Sequence, residues 1–395
     1  MVEEKKVPKG YKQTEVGVVP EEWEVDEVGH LLQIKTGSKN TQDKKDDGQF
    51  PFFVRSDKVE RINSYSFDGE GVLTAGDGVG TGKIFHYING KCDIHQRVYL
   101  MHAFTDKIHA RYFYIVFSAN FYYRIMAMTA KSSVDSVRRE MISKMPIPLP
   151  PFPEQKAIAE VLSDTDALIE SLEALIAKKR AVKQGSMQEL LTGRRRLPGF
   201  AVSGRYRQTE VGVVPEEWEV SLVKDLFTVE AGGDLERSSF RQEKDQIHPY
   251  PIYANALQCK GIYGYSSTWK YKENSITITA RGTLGHAEHR REPFTAIVRL
   301  LVLTPQRLLE CGFFTEYINS FVEIAVESTG VPQLTAPQLS NLYIPLPPLP
   351  EQKAIAEVLS DMDTEIEALE KKRDKYKKIK QGMMDQLLTG KVRLI

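Results

Sequence analysis

An α+β fold is predicted here, in which two homologous domains alternate with two long α-helices that pair as an antiparallel coiled coil, giving a pseudo-two-fold internal repeat. Three observations lead to it. The stretch YKQTEVGVVPEEWEV at Tyr11–Val25 returns at Tyr206–Val220 with one change. IPLPPFPEQKAIAEVLSD, beginning at Ile147, returns from Ile344 with one change. Between these copies the chain diverges, yet the order of strand-like and helix-like runs is the same in both halves. A repeat of this kind sets the architecture before any local reading.

The repeats divide the 395 residues into a connector (1–25), a first mixed domain (26–146), a long helix (147–197), the second connector (198–220), a second mixed domain (221–343) and a second long helix (344–395). In each connector, Trp23 or Trp218 of the P-E-E-W segment reads as a buried anchor. An aromatic that stacked on a ligand would vary with that ligand, whereas these two are the same in both copies. The mixed domains carry β-rich runs (QFPFFV, GVLTAGDG, RVYLMH; YPIYANAL, SITITARG, AIVRLLVL) followed by helix-like stretches (ARYFYIVFSANFYYRIMAM; GFFTEYINSFVEIAVES). That order is α+β.

Each long helix runs proline-free for roughly 38 residues, Glu154 to Leu191 and Glu351 to Leu388, or about 57 Å. Both should open with proline at the first helical position followed by Glu-Gln, and both should stop at LLTG with Gly193 and Gly390 as left-handed caps. Apolar positions step by four and three (Ile158, Leu162, Ile169, Leu172, Ile176; Ile355, Leu359, Met362, Ile366, Leu369, Tyr376, Met383), a narrow seam. The first half of each helix is acidic (Asp164, Asp166, Glu170; Asp363, Glu365, Glu370) and the second basic (Lys179, Arg180, Lys183; Lys372, Lys377, Lys380). Antiparallel pairing sets opposite charges side by side. Charges that merely complement the helix dipole would stay within the terminal turns, and these blocks extend beyond them. Gly185 and Gly382 interrupt equivalent places, for close backbone approach or by simple tolerance.

Composition narrows the function. Net charge is zero, so a nucleic-acid reading must place the acidic residues away from the contact surface. The three cysteines are distant and lack a C-x-x-C pair, which argues against both a disulfide framework and a zinc site, and implies a reducing compartment. A polar N-terminal stretch and the lack of a long apolar run point to a cytoplasmic protein with no membrane partner. The glycine-rich AGDGVGTGK has Asp77 and Ile84 where a Walker A loop needs glycine and Ser or Thr. It reads instead as a hairpin that lets backbone approach DNA, or as a structural turn. His286 and His289 have no further ligand cluster, so no metal site is expected, and without an N/D-P-P-Y/F type loop no catalytic site or cofactor pocket is expected either.

The P-x-P-P-x-P-E-Q-K-A-I-A-E-V-L-S-D entry, the helix closing with Q-E-L-L-T-G or D-Q-L-L-T-G, and the duplicated G-V-V-P-E-E-W resemble the specificity subunit of type I restriction–modification systems along the whole chain. The resemblance implies two target-recognition domains, each reading one half of a bipartite, asymmetric double-stranded DNA target, with the helix pair as ruler. It implies a noncatalytic chain that docks two adenine methyltransferase (M) subunits, joined in the full complex by restriction/translocase (R) subunits. S-adenosylmethionine, ATP and Mg would then sit on those partners, and none on this chain. A methylation-only system, a scaffold that only joins proteins, and a self-contained enzyme are the alternatives, the last lacking any catalytic constellation. DNA contacts would come from Lys83, His86, Gln96, Arg97, Lys131, Ser132 and Arg138 in the first domain. In the second the candidates are Arg281, Thr283, His286, His289, Arg290, Arg291, Thr329 and Gln333, with Ser328 and Gly330 beside them. Arg281 and the Gln96–Arg97 pair stand out, because each follows or opens a strand beside a glycine turn.

Overall fold

The computed structural model describes residues 7–128, 136–201, 203–322 and 333–394. The chain forms two compact units: Met1–Leu172 with Lys372–Ile395, and Glu173–Lys371. Each unit therefore takes one mixed domain and part of each long helix.

In the first unit, a hairpin of Tyr11–Thr14 with Gly17–Pro20 leads to Glu24–Glu27, which pairs antiparallel with Pro146–Leu149. That pairing closes the domain where the chain enters and leaves it. The prolines of IPLP fit because the ladder has only two strands. Inside lies a six-stranded sheet in the order Gln33–Thr36, Val98–His102, Phe67–Ala75, Phe85–Ile94, Phe50–Phe53, Glu60–Ile62. Ala110–Ala127 is the helix expected from its aromatic-rich sequence. Phe113, Phe117 and Phe121 pack with Val72 and Met101 in one core, which also takes in Ile158, Leu162 and Leu387 of the long helices.

The second unit repeats the frame: hairpin Tyr206–Thr209 with Gly212–Pro215, then Glu219–Leu222 paired with Tyr343–Leu346. Its interior differs, holding two four-stranded sheets instead of one of six. Helix Cys311–Phe321 covers strands Ser275–Ile278 and Ala287–Arg290. Leu190, Leu191, Ile355 and Leu359 join this unit's core.

The long helices span Phe152–Leu190 and Leu349–Leu387, 39 residues each. They begin one residue before the proline expected at the first helical position, so Pro153 and Pro350 occupy the second position, where a missing N–H still costs nothing. Gly193 (φ +70°) and Gly390 (φ +67°) do end them. In the second unit Lys179 meets Glu365 at 2.7 Å, Lys183 meets Asp363 at 2.7 Å and Arg180 meets Glu370. In the first unit Lys380 meets Asp166. Within each unit the helix segments thus run antiparallel, acidic start beside basic end. No atom lies within 4 Å of a Cβ built on Gly185 or Gly382. Close approach within this chain therefore does not explain them.

The repeated motifs have a common physical meaning. Trp23 and Trp218 are fully buried, and their indole N–H groups donate to Glu154 (3.3 Å) and Glu351 (2.9 Å). The same carboxylates receive Arg393 and Arg196, each through two nitrogens, in their respective units. Each arginine also lies over the tryptophan ring at 5.7 Å. Gln155 and Gln352 turn inward too: each donates to a proline carbonyl (Pro150, Pro347) and accepts from the residue that caps the domain helix, His109 or Glu310. P-E-Q is thus a buried fastening of connector, helix and domain. The cap glycines belong to it, since a Cβ on Gly193 would fall 2.5 Å from Pro215 and one on Gly390 2.5 Å from Pro20. Among the described residues no helix is long and apolar enough to cross a membrane.

Candidate nucleic-acid interface

In the first domain the candidate residues gather around the glycine-rich turn between strands Phe67–Ala75 and Phe85–Ile94. Gly78 (φ +92°) and Gly82 (φ +70°) take left-handed backbone that other residues resist. At the foot of the turn, Asp77 receives Arg55 at 2.9 Å on one oxygen and Arg97 at 2.8 Å on the other. Burial pushes the Asp77 carboxyl up, but the two guanidinium groups outweigh it and hold it below the usual range. One aspartate thereby orients two exposed arginines. Gln96 bonds Asn40 at 2.5 Å beside them. Lys83 is exposed over the Tyr122 ring at 4.9 Å. Val137 N–H donates to Gly76 O at 2.7 Å, which joins the segment carrying Arg138 to the start of the turn.

His86 is half-buried, its ring against Phe53 and its Nε2 3.3 Å from Ser56 O. Burial depresses its pKa, so it offers a neutral imidazole near pH 7.

The second domain places the matching turn at Arg281–His286. Leu334 N–H donates to Ala280 O at 3.1 Å, the counterpart of the Val137–Gly76 bond. Arg281 is exposed and donates to Gln333 Oε1 at 3.3 Å, so two sequence candidates 52 residues apart are brought together. Thr283 is exposed, His286 lies 3.2 Å from Glu288, and Arg291 is exposed near Ser360.

Two expected contacts require correction. Arg290 is only 5% exposed; its guanidinium lies 3.6 Å over the Tyr253 ring and its Nε donates to Thr277 at 2.8 Å. His289 points into the domain, Nε2 on Asn274 at 3.0 Å and Nδ1 buried without a partner. They are neighbours on strand Ala287–Arg290 and so turn to opposite faces of the sheet, His289 toward helix Cys311–Phe321 and Arg290 toward Tyr253. Arg290 is thus buried and His289 half-buried, each already engaged inside the domain. Lys131, Ser132, Ser328, Thr329 and Gly330 lie outside the described residues. Arg55 and Asp77 were missed by the sequence reading; 22 residues separate them, and only the sheet order joins them. No cluster of three His, Cys, Asp or Glu able to hold a metal occurs among the described residues. The chemistry on offer is hydrogen bonding and charge.

Each unit also carries a surface groove where hairpin, helix end and domain meet. One, of about 540 Å³, is lined by Glu15, Val16, Leu388 and Thr389 among others; the second, about 460 Å³, by the equivalent Glu210, Val211, Leu191 and Thr192.

Comparison with known proteins agrees with this architecture. The sequence model of the type I restriction modification DNA specificity domain matches residues 20–178 and again 215–380. The putative type I restriction enzyme MjaX specificity subunit of Methanocaldococcus jannaschii is 27% identical, with 97% of each chain covered. The EcoDI specificity subunit of Escherichia coli is 23% identical, covering 90% of this chain and 84% of the relative. Among solved structures, the S subunit of a type I system from M. genitalium has the same fold, with a TM-score of 0.70 at 16% identity and 97% of each chain covered. With both halves matched in the order the repeats dictate, the chain belongs to the type I restriction–modification DNA specificity family, as a noncatalytic specificity subunit.

Proposed function

We propose that this chain reads a bipartite, asymmetric double-stranded DNA target, one half-site per domain, and delivers two M subunits to it. The observation that carries the reading is the contrast between frame and filling. Hairpin, tryptophan anchor, P-E-Q fastening and helix end are kept in both units, while one domain holds a six-stranded sheet and the other two sheets of four. A frame held constant around divergent domains suits two unlike half-sites. The first domain would read through Arg97, Gln96, Lys83 and Arg138 around the glycine turn, the second through Arg281, Gln333, Thr283 and Arg291. The two equivalently lined grooves suit two copies of one partner. S-adenosylmethionine would be held by the M subunits, and ATP and Mg by R subunits where the assembly also cuts.

Expression with an M subunit, followed by genome-wide mapping of methylated bases, tests this. A new two-part motif with a fixed gap, methylated once per strand, is expected. Exchanging residues 26–146 for those of a relative should change one half-site only, which assigns it to the first domain. A stable complex that adds no methylation refutes the reading.

A further inference from the structure

The tip of the first domain's glycine turn holds an apolar side chain out in water. Val79 is 104% exposed, yet the turn beneath it is tightly built. Thr81 is buried and returns both its N–H (3.1 Å) and its hydroxyl (2.6 Å) to Gly78 O. Lys83 and Ile84 N–H groups both donate to Gly80 O, at 3.0 and 3.2 Å. A Cβ on Gly80 would fall 2.0 Å from Ile84 Cδ1, and one on Gly82 2.2 Å from Ile125 Cδ1. A single exposed valine ordinarily needs no account. This one is fixed at an apex with glycine on both sides and the Arg55–Asp77–Arg97 cluster at its foot.

We propose that Val79 is a specificity-determining residue, packing on the 5-methyl group of a thymine in the major groove of the half-site read by the first domain. The proposal rests on the DNA-reading function above. The major-groove edge of a base pair offers one apolar feature, the thymine methyl. Side chains that wedge base steps apart are larger, such as Phe, Leu, Ile or Met. Valine's methyl groups reach only one bond beyond Cβ, so they touch a base edge only if backbone comes close. A Cβ on Gly78 would stand in open space beside the tip, so glycine there keeps that approach clear, while Gly80 lets the turn close on Ile84. Arg55 and Arg97 supply the positive charge that brings phosphates to the same place. The second domain departs at this point: its turn sends Arg281 outward and packs Leu284 against its core. One domain thus offers an apolar tip and the other a cationic one.

The test uses the complex with its M subunit and the mapped target. Each thymine of the first domain's half-site is replaced singly by deoxyuridine, which removes only the methyl group, and affinity is measured for the wild type and Val79→Ala. At one position uracil should weaken wild-type binding about fourfold, the worth of one buried methyl-sized group. Val79→Ala should already be weaker by a similar factor and indifferent to uracil there, while Val79→Ile keeps the response. Equal uracil effects in wild type and Val79→Ala at every position, or a half-site without thymine, overturns the proposal and leaves the general function standing. Failure of the wild type to bind any sequence preferentially, before uracil is introduced, overturns both.

Discussion

Removing Arg196 while leaving Glu351 in place tests the fastening of the second unit. Glu351 is fully buried and only 7% of the Arg196 side chain is exposed; Nη2 lies 2.7 Å from Oε2, and Nε meets Oε1. Trp218 adds a bond of 2.9 Å to the carboxylate, and Glu217 meets the arginine at 3.2 Å. Arg196→Met keeps an unbranched stem beside the indole but strands a buried charge. Breaking such a pair from one side costs about 3–5 kcal/mol. Replacing both partners, Arg196→Met with Glu351→Leu, should recover to within about 1 kcal/mol of wild type, since the desolvation cost leaves with the charges. Arg393→Met in the first unit should cost somewhat less, about 2–4 kcal/mol, because the arginine is 20% exposed although the Glu154 carboxylate it leaves behind is buried. Urea unfolding gives the energies, and hydrogen exchange should show lost protection around residues 186–197 and 349–355 after Arg196→Met. If that variant loses under 1 kcal/mol, or the double variant is as unstable as the sum of its singles, the fastening does not hold the unit as argued.

Gly185→Ala and Gly382→Ala should each stabilise by about 1 kcal/mol in thermal melts, since a Cβ meets no atom within 4 Å at either place; a loss of stability would show that the helices need those glycines. Glu316→Gln should stabilise the second unit at neutral pH. Burial raises the Glu316 pKa, Asp363 adds to the shift, and Lys183 at 3.4 Å only partly offsets them. A raised acid pKa means stability falls as pH climbs from 4.5 through the folded value, so the variant's stability should be flatter over that window. Arg290→Met should cost about 2–4 kcal/mol through the lost Tyr253 contact and Thr277 bond, with the recognised sequence unchanged. Arg281→Ala should leave stability within about 0.5 kcal/mol and relax one position of the second half-site by about 1–3 kcal/mol; methylation mapping separates these two arginines.

The frame was legible because repetition and helix chemistry are local. The stop at LLTG, the pairing sense from charge blocks and the buried tryptophans each follow from a few adjacent residues, and each appears in the structure. The P-E-Q motif was legible as a helix start and illegible as a fastening, because Glu154 finds its arginine 239 residues away. A signal was present: the third residue after the cap glycine is arginine in both copies, Arg196 and Arg393. Inside the domains, strand positions were readable but faces were not. His289 and Arg290 are adjacent on one strand, and its two-residue alternation sends them to opposite faces. That both faces are packed, one by helix Cys311–Phe321 and the other by Tyr253, is decided by elements distant in sequence.

Charge follows the same division between frame and filling. Many acidic residues of the helices meet lysine or arginine within the scaffold: Asp363 with Lys183, Glu365 with Lys179 and Glu370 with Arg180 in one unit, Asp166 with Lys380 in the other. A zero net charge is therefore compatible with local positive sites, because much of the negative charge is answered where it stands. The exposed arginines of the two proposed recognition turns sit instead beside a single aspartate or a neutral glutamine, which orient them without fully answering their charge. Electrostatic attraction to DNA is then short-ranged and confined to the turns. The isolated chain should bind DNA weakly and lose that binding steeply with salt. Nanomolar sequence-specific binding at physiological salt without an M subunit would contradict this, because it would require a positive surface that the scaffold's paired charges do not supply.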